Sequence, residues 1–149
     1  MKTVRCLGVA IMMVFALFGG AGNASASSAP ECNDRRATIE GSDRSDDIRG
    51  SDRDDVIVAE RGDDRVDGRD GDDTICGNRG DDELYGGHGD DYLKGGSDDD
   101  ELYGERGDDE LYARDDHGGD VVDGGSGYDV CKVDDGDVTY DCEEVTRED

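Results

Sequence analysis

The sequence predicts an all-β chain wound into stacked coils, and three periodic features predict it. Apolar residues fall at Ile39, Ile48, Ile57, Val66, Ile75, Leu84, Leu93, Leu102 and Leu111, each nine residues after the last. From Ile48 onward an aspartate stands two residues before each of them, at Asp46, Asp55, Asp64, Asp73, Asp82, Asp91, Asp100 and Asp109. Glycine keeps the same beat, four residues before at Gly62, Gly71, Gly80, Gly89 and Gly107, and seven before at Gly41, Gly50, Gly68, Gly77, Gly86, Gly95 and Gly104. Self-similarity at a short fixed period is the mark of a repeat architecture.

A spacing of nine is incompatible with an amphipathic helix, whose apolar residues recur at three and four. The glycine density opposes helix as well. Each unit instead divides into a tight glycine turn and a three-residue strand such as ELY or DIR that points one side chain inward and two outward. One inward residue per unit cannot bury a core. Stacked units can, because each Ile, Val or Leu then packs on those of the neighbouring coils, with the backbone hydrogen bonds running between coils.

The first 26 residues are of another kind. Lys2 and Arg5 precede an apolar run from Gly8 to Phe18 and a small-x-small site at Ala24-Ser25-Ala26, the pattern of a secretory signal peptide, so the mature chain is expected to begin near Ser27, outside the cytoplasm. The run is shorter than the roughly 20 residues of a membrane span, and no membrane insertion is expected. Loss of Lys2 and Arg5 takes the formal net charge from −26 to −28, and both phenylalanines and all three methionines leave with the leader. What remains is a polyanion with few large apolar side chains, which by composition stays disordered unless something neutralises it. No basic stripe is present to hold nucleic acid. A cation is the natural partner.

Residues 27–40 carry the apolar beat without the aspartate, which suits an N-terminal cap segment. The repeats run from Gly41 to Lys132. After Leu111 the register slips by two residues around Ala113 and Arg114 and resumes with Gly118, Asp120 and Val122; the last unit is GGSGYDVCK, with Asp129 and with Cys131 in the apolar place. Residues 133–149 are expected to be a C-terminal cap or tail.

Stacking brings the aspartates into rows, where like charges repel by about 1 kcal/mol at ~4 Å even in a water-like dielectric. Calcium removes the objection, since it takes six to eight oxygen ligands and mixes carboxylates with backbone carbonyls in irregular geometry. Borderline metals suit the repeats poorly, because no Cys or His recurs. An EF-hand is excluded: the nearest candidate, Asp67 to Asp73, fails at Arg69.

The units GNRGDDELY (Gly77 to Tyr85), GGHGDDYLK (Gly86 to Lys94) and GGSGYDVCK resemble the nonapeptide GGxGxDxUx of the RTX, or haemolysin-type, calcium-binding family. The resemblance covers about Gly41 to Lys132. It implies a right-handed parallel β-roll with two nonapeptides per coil and several calcium ions held between turns of the same edge. Carried onto this chain, it pairs Asp46 with Asp64, Asp55 with Asp73, Asp64 with Asp82, Asp73 with Asp91, Asp82 with Asp100 and Asp91 with Asp109, and leaves the pairings through Asp120 and Asp129 open beyond the slip. Ser42, Arg44, Ser51 and Arg53 replace glycines, so sites near the N-terminus are expected to be weaker or absent. In the family pattern the neighbouring aspartates Asp54, Asp63, Asp72, Asp81, Asp90, Asp99 and Asp108 occupy a variable position, and their side chains are expected to be solvated.

Cys32, Cys76, Cys131 and Cys142 are an even set in an exported chain, and disulfides are the default reading. Three connectivities are possible; a bridge between Cys131 and Cys142, which flank VDDGDVTYD, is favoured as a staple of the C-terminal cap, leaving Cys32 with Cys76. Zinc is disfavoured by the absence of a CxxC spacing. Tyr85 and Tyr103 each follow an apolar position, eighteen residues apart, and are expected to meet on an outer face as a cross-strand pair, with a carbohydrate-binding strip as the alternative. His88 and His117 fall in turns. No serine stands in a GxSxG setting, and the carboxylates are identically placed where catalysis needs two whose environments differ, so no enzyme is expected. Three functions follow: a secreted, non-catalytic module that folds on binding calcium; a protein that holds a cell surface or extracellular polymer, with calcium only structural; and a disordered acidic calcium buffer.

Overall fold

The computed structural model describes residues 30–148 apart from 116. The signal peptide expected at 1–26, with Cys6, Ser27 and Ser28, lies outside the described residues. The strands follow in chain order: β1 Glu31–Cys32, β2 Arg35–Arg36, β3 Ile39–Glu40, β4 Asp47–Arg49, β5 Val56–Arg61, β6 Arg65–Asp70, β7 Thr74–Arg79, β8 Glu83–His88, β9 Tyr92–Ser97, β10 Glu101–Arg106, β11 Glu110–Ala113, β12 Val121–Asp123, β13 Val130–Asp134, β14 Val138–Tyr140 and β15 Glu144–Glu148. No helix occurs among the described residues.

From β3 onward the odd strands form one parallel sheet and the even strands another. The chain therefore alternates between two sheets and completes a coil every two strands, as a parallel β-roll. Registers follow the apolar ladder: Ile39 lies beside Ile57, Ile57 beside Ile75 and Ile75 beside Leu93 in one sheet, and Ile48 beside Val66 and Val66 beside Leu84 in the other. These side chains point inward and form one continuous core, in which Ile57, Val66, Ile75, Leu84, Leu93, Leu102 and Leu111 are fully buried. Burying each is worth about 1.5–3 kcal/mol, so a chain with one large apolar residue per nonapeptide can still hold a core.

The slip after Leu111 is absorbed by one longer coil. Leu102 pairs with Val122 and Leu111 with Cys131, so the ladder resumes in phase. Beyond Lys132, where a cap or tail is expected, both sheets gain a further strand: β14 continues from β12 and β15 from β13. At the other end Ile39 is already the first rung, only partly buried.

Both expected disulfides are present. Cys131 and Cys142 (Cα–Cα 6.1 Å) close the last coil, and Cys32 and Cys76 (Cα–Cα 5.9 Å) span 44 residues, a loop whose closure in the unfolded chain is worth ~4 kcal/mol on the entropic account. The antiparallel β1–β2 hairpin is drawn by its bridge against the odd sheet, where Cys32, Val58 and Cys76 form a second cluster with Ala37, Val56 and Tyr92. The segment expected as a cap thus also covers an apolar patch beside the first coils.

Candidate metal centre

Each ladder aspartate stands one residue before a strand, as Asp64 before β6 and Asp73 before β7, so the turn delivers it to the edge where the two sheets meet. The even edge collects Asp46, Asp64, Asp82, Asp100 and Asp120, and the odd edge Asp55, Asp73, Asp91, Asp109 and Asp129. Along each edge the backbone N–H of one aspartate donates to Oδ1 of the aspartate one coil later: Asp46 to Asp64 (2.7 Å), Asp64 to Asp82 (2.9 Å), Asp82 to Asp100 (2.9 Å), Asp55 to Asp73 (2.7 Å), Asp73 to Asp91 (2.7 Å) and Asp91 to Asp109 (2.8 Å). The pairings left open beyond the slip close in the same way, Asp100 to Asp120 (2.7 Å) and Asp109 to Asp129 (2.8 Å).

This bond uses only one carboxylate oxygen. From Asp64 to Asp129 the ladder residues are 2% exposed or less, and Oδ2 of Asp64, Asp73, Asp82, Asp91, Asp109 and Asp129 is buried with no hydrogen-bond partner. A buried, half-satisfied carboxylate is costly unless it is neutralised. Burial pushes these groups upward, Asp73 and Asp109 to about 6, Asp82 and Asp120 to about 7, and Asp91 and Asp100 to about 8. The N–H bond opposes that rise, and neighbouring carboxylates add to it.

The space beside the orphaned oxygen exists because of glycine. A Cβ at Gly68, Gly77, Gly86 or Gly104 would overlap Oδ2 of Asp73, Asp82, Asp91 or Asp109, five residues on. Among the described residues no group of three or more His, Cys, Asp or Glu side chains converges on a point. The side chains therefore offer one carboxylate per turn and no nitrogen or sulfur, the oxygen chemistry of a hard cation such as calcium.

The outer aspartates are solvated, as expected, but they also bond between coils. Asp54, Asp63, Asp72, Asp81 and Asp90 are exposed, yet their carboxylates accept the N–H of Asp72 (3.1 Å), Asp81 (3.3 Å), Asp90 (3.1 Å), Asp99 (3.2 Å) and Asp108 (2.9 Å), each one coil later. Asp108 accepts from Tyr128 (2.9 Å). They are latches between coils rather than merely solvated charges, because the turn leaves these N–H groups without a backbone partner.

The sequence reading also missed the end of the ladder. Asp120 donates its N–H to Asp137 (3.2 Å), and Asp129 to Glu143 (2.8 Å). The signal was present: Asp137 stands two residues before Thr139, which pairs with Val122, and Glu143 two before Val145, which pairs with Cys131. The carboxylate keeps its phase although Thr replaces the apolar residue and Glu replaces Asp.

Tyr85 and Tyr103 stack on the outer face of the even sheet, with ring centroids 4.9 Å apart and planes at 12°. Arg65 lies 4.5 Å above Tyr85, and the hydroxyls of Tyr85 and Tyr103 donate to Glu83 and Glu101. A second pair, Tyr92 and Tyr112, tilts together on the odd sheet with Lys132 at 4.1 Å from the Tyr112 ring. Tyr85, Tyr103 and Tyr112 engage their hydroxyls within the protein, as cross-strand stabilisers do. His88 and His117 are exposed and lie beside Asp70 and Asp115.

The family described as the RTX calcium-binding nonapeptide repeat (4 copies) matches the chain in overlapping segments at residues 40–75, 67–102, 76–111, 85–118 and 95–131. No curated protein and no solved structure matches it. With the repeat matched over more than half of the sequence and the coils it specifies present as a β-roll, the chain belongs to the RTX calcium-binding nonapeptide repeat family.

Proposed function

We propose that this is an exported, non-catalytic calcium-binding module whose roll orders when calcium neutralises the two aspartate edges. The observation that carries the reading is the row of buried, unpartnered Oδ2 atoms. Asp64, Asp73, Asp82, Asp91, Asp100, Asp109, Asp120 and Asp129 hold the ions together with turn carbonyls, and Asp46 and Asp55 begin the two edges. The leader at 1–26 supports export, and folding after export follows from extracellular calcium, for which affinities of roughly 0.1–1 mM are usual in such modules. Metal affinity and folding are then one quantity, since the site is absent from the unfolded chain.

The test is a calcium titration of the chelator-stripped, disulfide-bonded chain, read by far-ultraviolet circular dichroism with magnesium as control. A cooperative gain of β signal with calcium alone is expected. A chain that binds calcium yet stays disordered supports the acidic buffer instead, and one fully folded in chelator rejects calcium-coupled folding.

Asp91→Asn separates the two effects of charge at one rung. The amide keeps an oxygen for the Asp73 N–H and removes the buried charge, so the calcium-free roll should gain about 1 kcal/mol or more. Calcium binding should weaken about tenfold at that edge. Chelator melts and calorimetric titrations of the variant read both; a variant less stable without calcium and unaltered in affinity would exclude Asp91 as a ligand.

A further inference from the structure

We infer that the calcium-dependent part of the roll begins at Asp64, and that Ser42 and Ser51 replace the cation in the turns before it, so that the first coils form a seed ordered without calcium. The inference rests on calcium being the ligand of the aspartate edges.

The first two ladder carboxylates are built differently from the rest. Ser42 donates both its backbone N–H and its hydroxyl to Oδ2 of Asp46, each at 2.8 Å. Ser51 does the same to Oδ2 of Asp55, again at 2.8 Å for both. Asp55 gains a third donor, the Thr38 hydroxyl, at 3.1 Å on Oδ1. In the later turns the oxygen that would correspond is the orphan: Oδ2 of Asp64, Asp73, Asp82, Asp91, Asp109 and Asp129 has no partner.

Backbone conformation accounts for the contrast. The residues four before those aspartates are Glu60, Arg69, Asn78, Gly87, Glu105 and Gly125, and all have left-handed φ values, at 85°, 87°, 85°, 112°, 71° and 93°. Ser42 and Ser51 do not. Strands β5 to β10 run on through the left-handed residue, whereas β3 and β4 stop at Glu40 and Arg49, before the serine. A chain that ends its strand early turns the serine N–H and hydroxyl onto the carboxylate; a chain that continues leaves the carboxylate open for an ion. An ionised carboxylate that accepts charge-assisted bonds from an N–H and a hydroxyl needs no counter-ion.

The first coils have a second calcium-independent support: Val56 and Val58 of β5 and Ala37 join the apolar cluster around the Cys32–Cys76 bridge. At the far end of the even edge the pattern recurs: Asp137 accepts the N–H groups of Gly119 (3.1 Å) and Asp120 (3.2 Å) on Oδ1 and that of Asp134 (2.7 Å) on Oδ2. On the even edge the orphaned carboxylates of Asp64 and Asp82 thus lie between hydrogen-bonded ends. With a preformed first coil, calcium-driven ordering adds coils to an existing template and proceeds from the N-terminal end.

Hydrogen exchange of the disulfide-bonded chain, read by mass spectrometry in chelator and in calcium, tests this. Amides of the β3–β5 pair, such as those of Thr38 and Gly41 that donate to Val56 and Val58, should exchange in chelator within about tenfold of their rate in calcium, while those between Asp64 and Asp129 should exchange at least about 100-fold faster in chelator. In the double variant Ser42→Gly, Ser51→Gly the first segment should lose its chelator protection and regain it with calcium. The inference is overturned if the wild-type first segment exchanges in chelator as fast as the second, or if the double variant keeps its chelator protection. If neither segment responds to calcium, the calcium reading itself fails and takes the inference with it, an outcome recognisable from residues 64–129 alone.

Discussion

In chelator at pH 8 the chain should show little β-sheet signal, and acidification to pH 5 should restore a large part of it without any metal. Unfolded aspartates titrate near 3.9. In the folded roll burial, reinforced by neighbouring carboxylates, raises Asp73 and Asp109 to about 6, Asp82 and Asp120 to about 7, and Asp91 and Asp100 to about 8. Between pH 4 and pH 8 the folded state therefore binds more protons than the unfolded one, and stability falls as pH rises through that window. Below about 4 both states are protonated and the penalty is absent; above 8 it is complete. Asp55 runs the other way: burial acts to raise it, but the Ser51 N–H and hydroxyl, the Thr38 hydroxyl and Arg53 together lower it, so it adds no penalty in this range.

Calcium reverses the sign of the response. It competes with protons for the same oxygens, so binding should release protons and weaken on acidification. Circular dichroism at pH 5 and 8, with and without chelator, together with proton release in an unbuffered titration, checks both halves. A calcium-free signal that does not change between pH 5 and 8 would mean that the ladder carboxylates ionise at no cost, and the neutralisation argument would then be lost.

Gly107→Ala should unfold the roll or lower its stability by more than about 3 kcal/mol, even in saturating calcium. Gly107 has φ 136°, and a Cβ there would overlap the carbonyl oxygen of Gly89 in the preceding coil. The left-handed strain alone costs on the order of 1–3 kcal/mol, and the obstacle is backbone, so the two coils must separate and the N–H of Gly89 must give up the carbonyl of Arg106 (2.9 Å). The reverse exchange makes the control. Asp98 occupies the same place in its own unit with φ 85°, and its carboxylate accepts the Gly80 N–H at 3.3 Å. Asp98→Gly exchanges one long hydrogen bond for relief of a left-handed aspartate and should change stability by less than about 1 kcal/mol. Thermal or denaturant melts in calcium compare the two; equal effects would show that inter-coil contact at this glycine does not limit the fold.

The apolar ladder, the aspartate phase and the glycine turns were legible because each is a one-dimensional signal: a coil that repeats in space repeats in sequence. Features that break the period are hidden from it. Asp137 and Glu143 serve the ladder with irregular spacing, since a terminal coil has a neighbour on one side only and tolerates a longer or shorter turn. The outer aspartates look free in sequence because nothing local reveals that the N–H of Asp72 needs the Asp54 carboxylate from the coil before it.

The repeat, and with it the β-roll, the identity of the inward residues and the oxygen-rich chemistry of the edges, is written in the sequence, whereas the pairing of the four cysteines is fixed by the fold. Period and residue type suffice for the former, because local steric preference and the need to bury one residue per nonapeptide leave a single solution. The state of each carboxylate, by contrast, is set by how the coils pack on one another. Whether an aspartate is hydrogen-bonded, latched across coils or left with one bare oxygen depends on the direction of N–H groups, and Glu60 and Arg69 are left-handed where Ser42 and Ser51 are not.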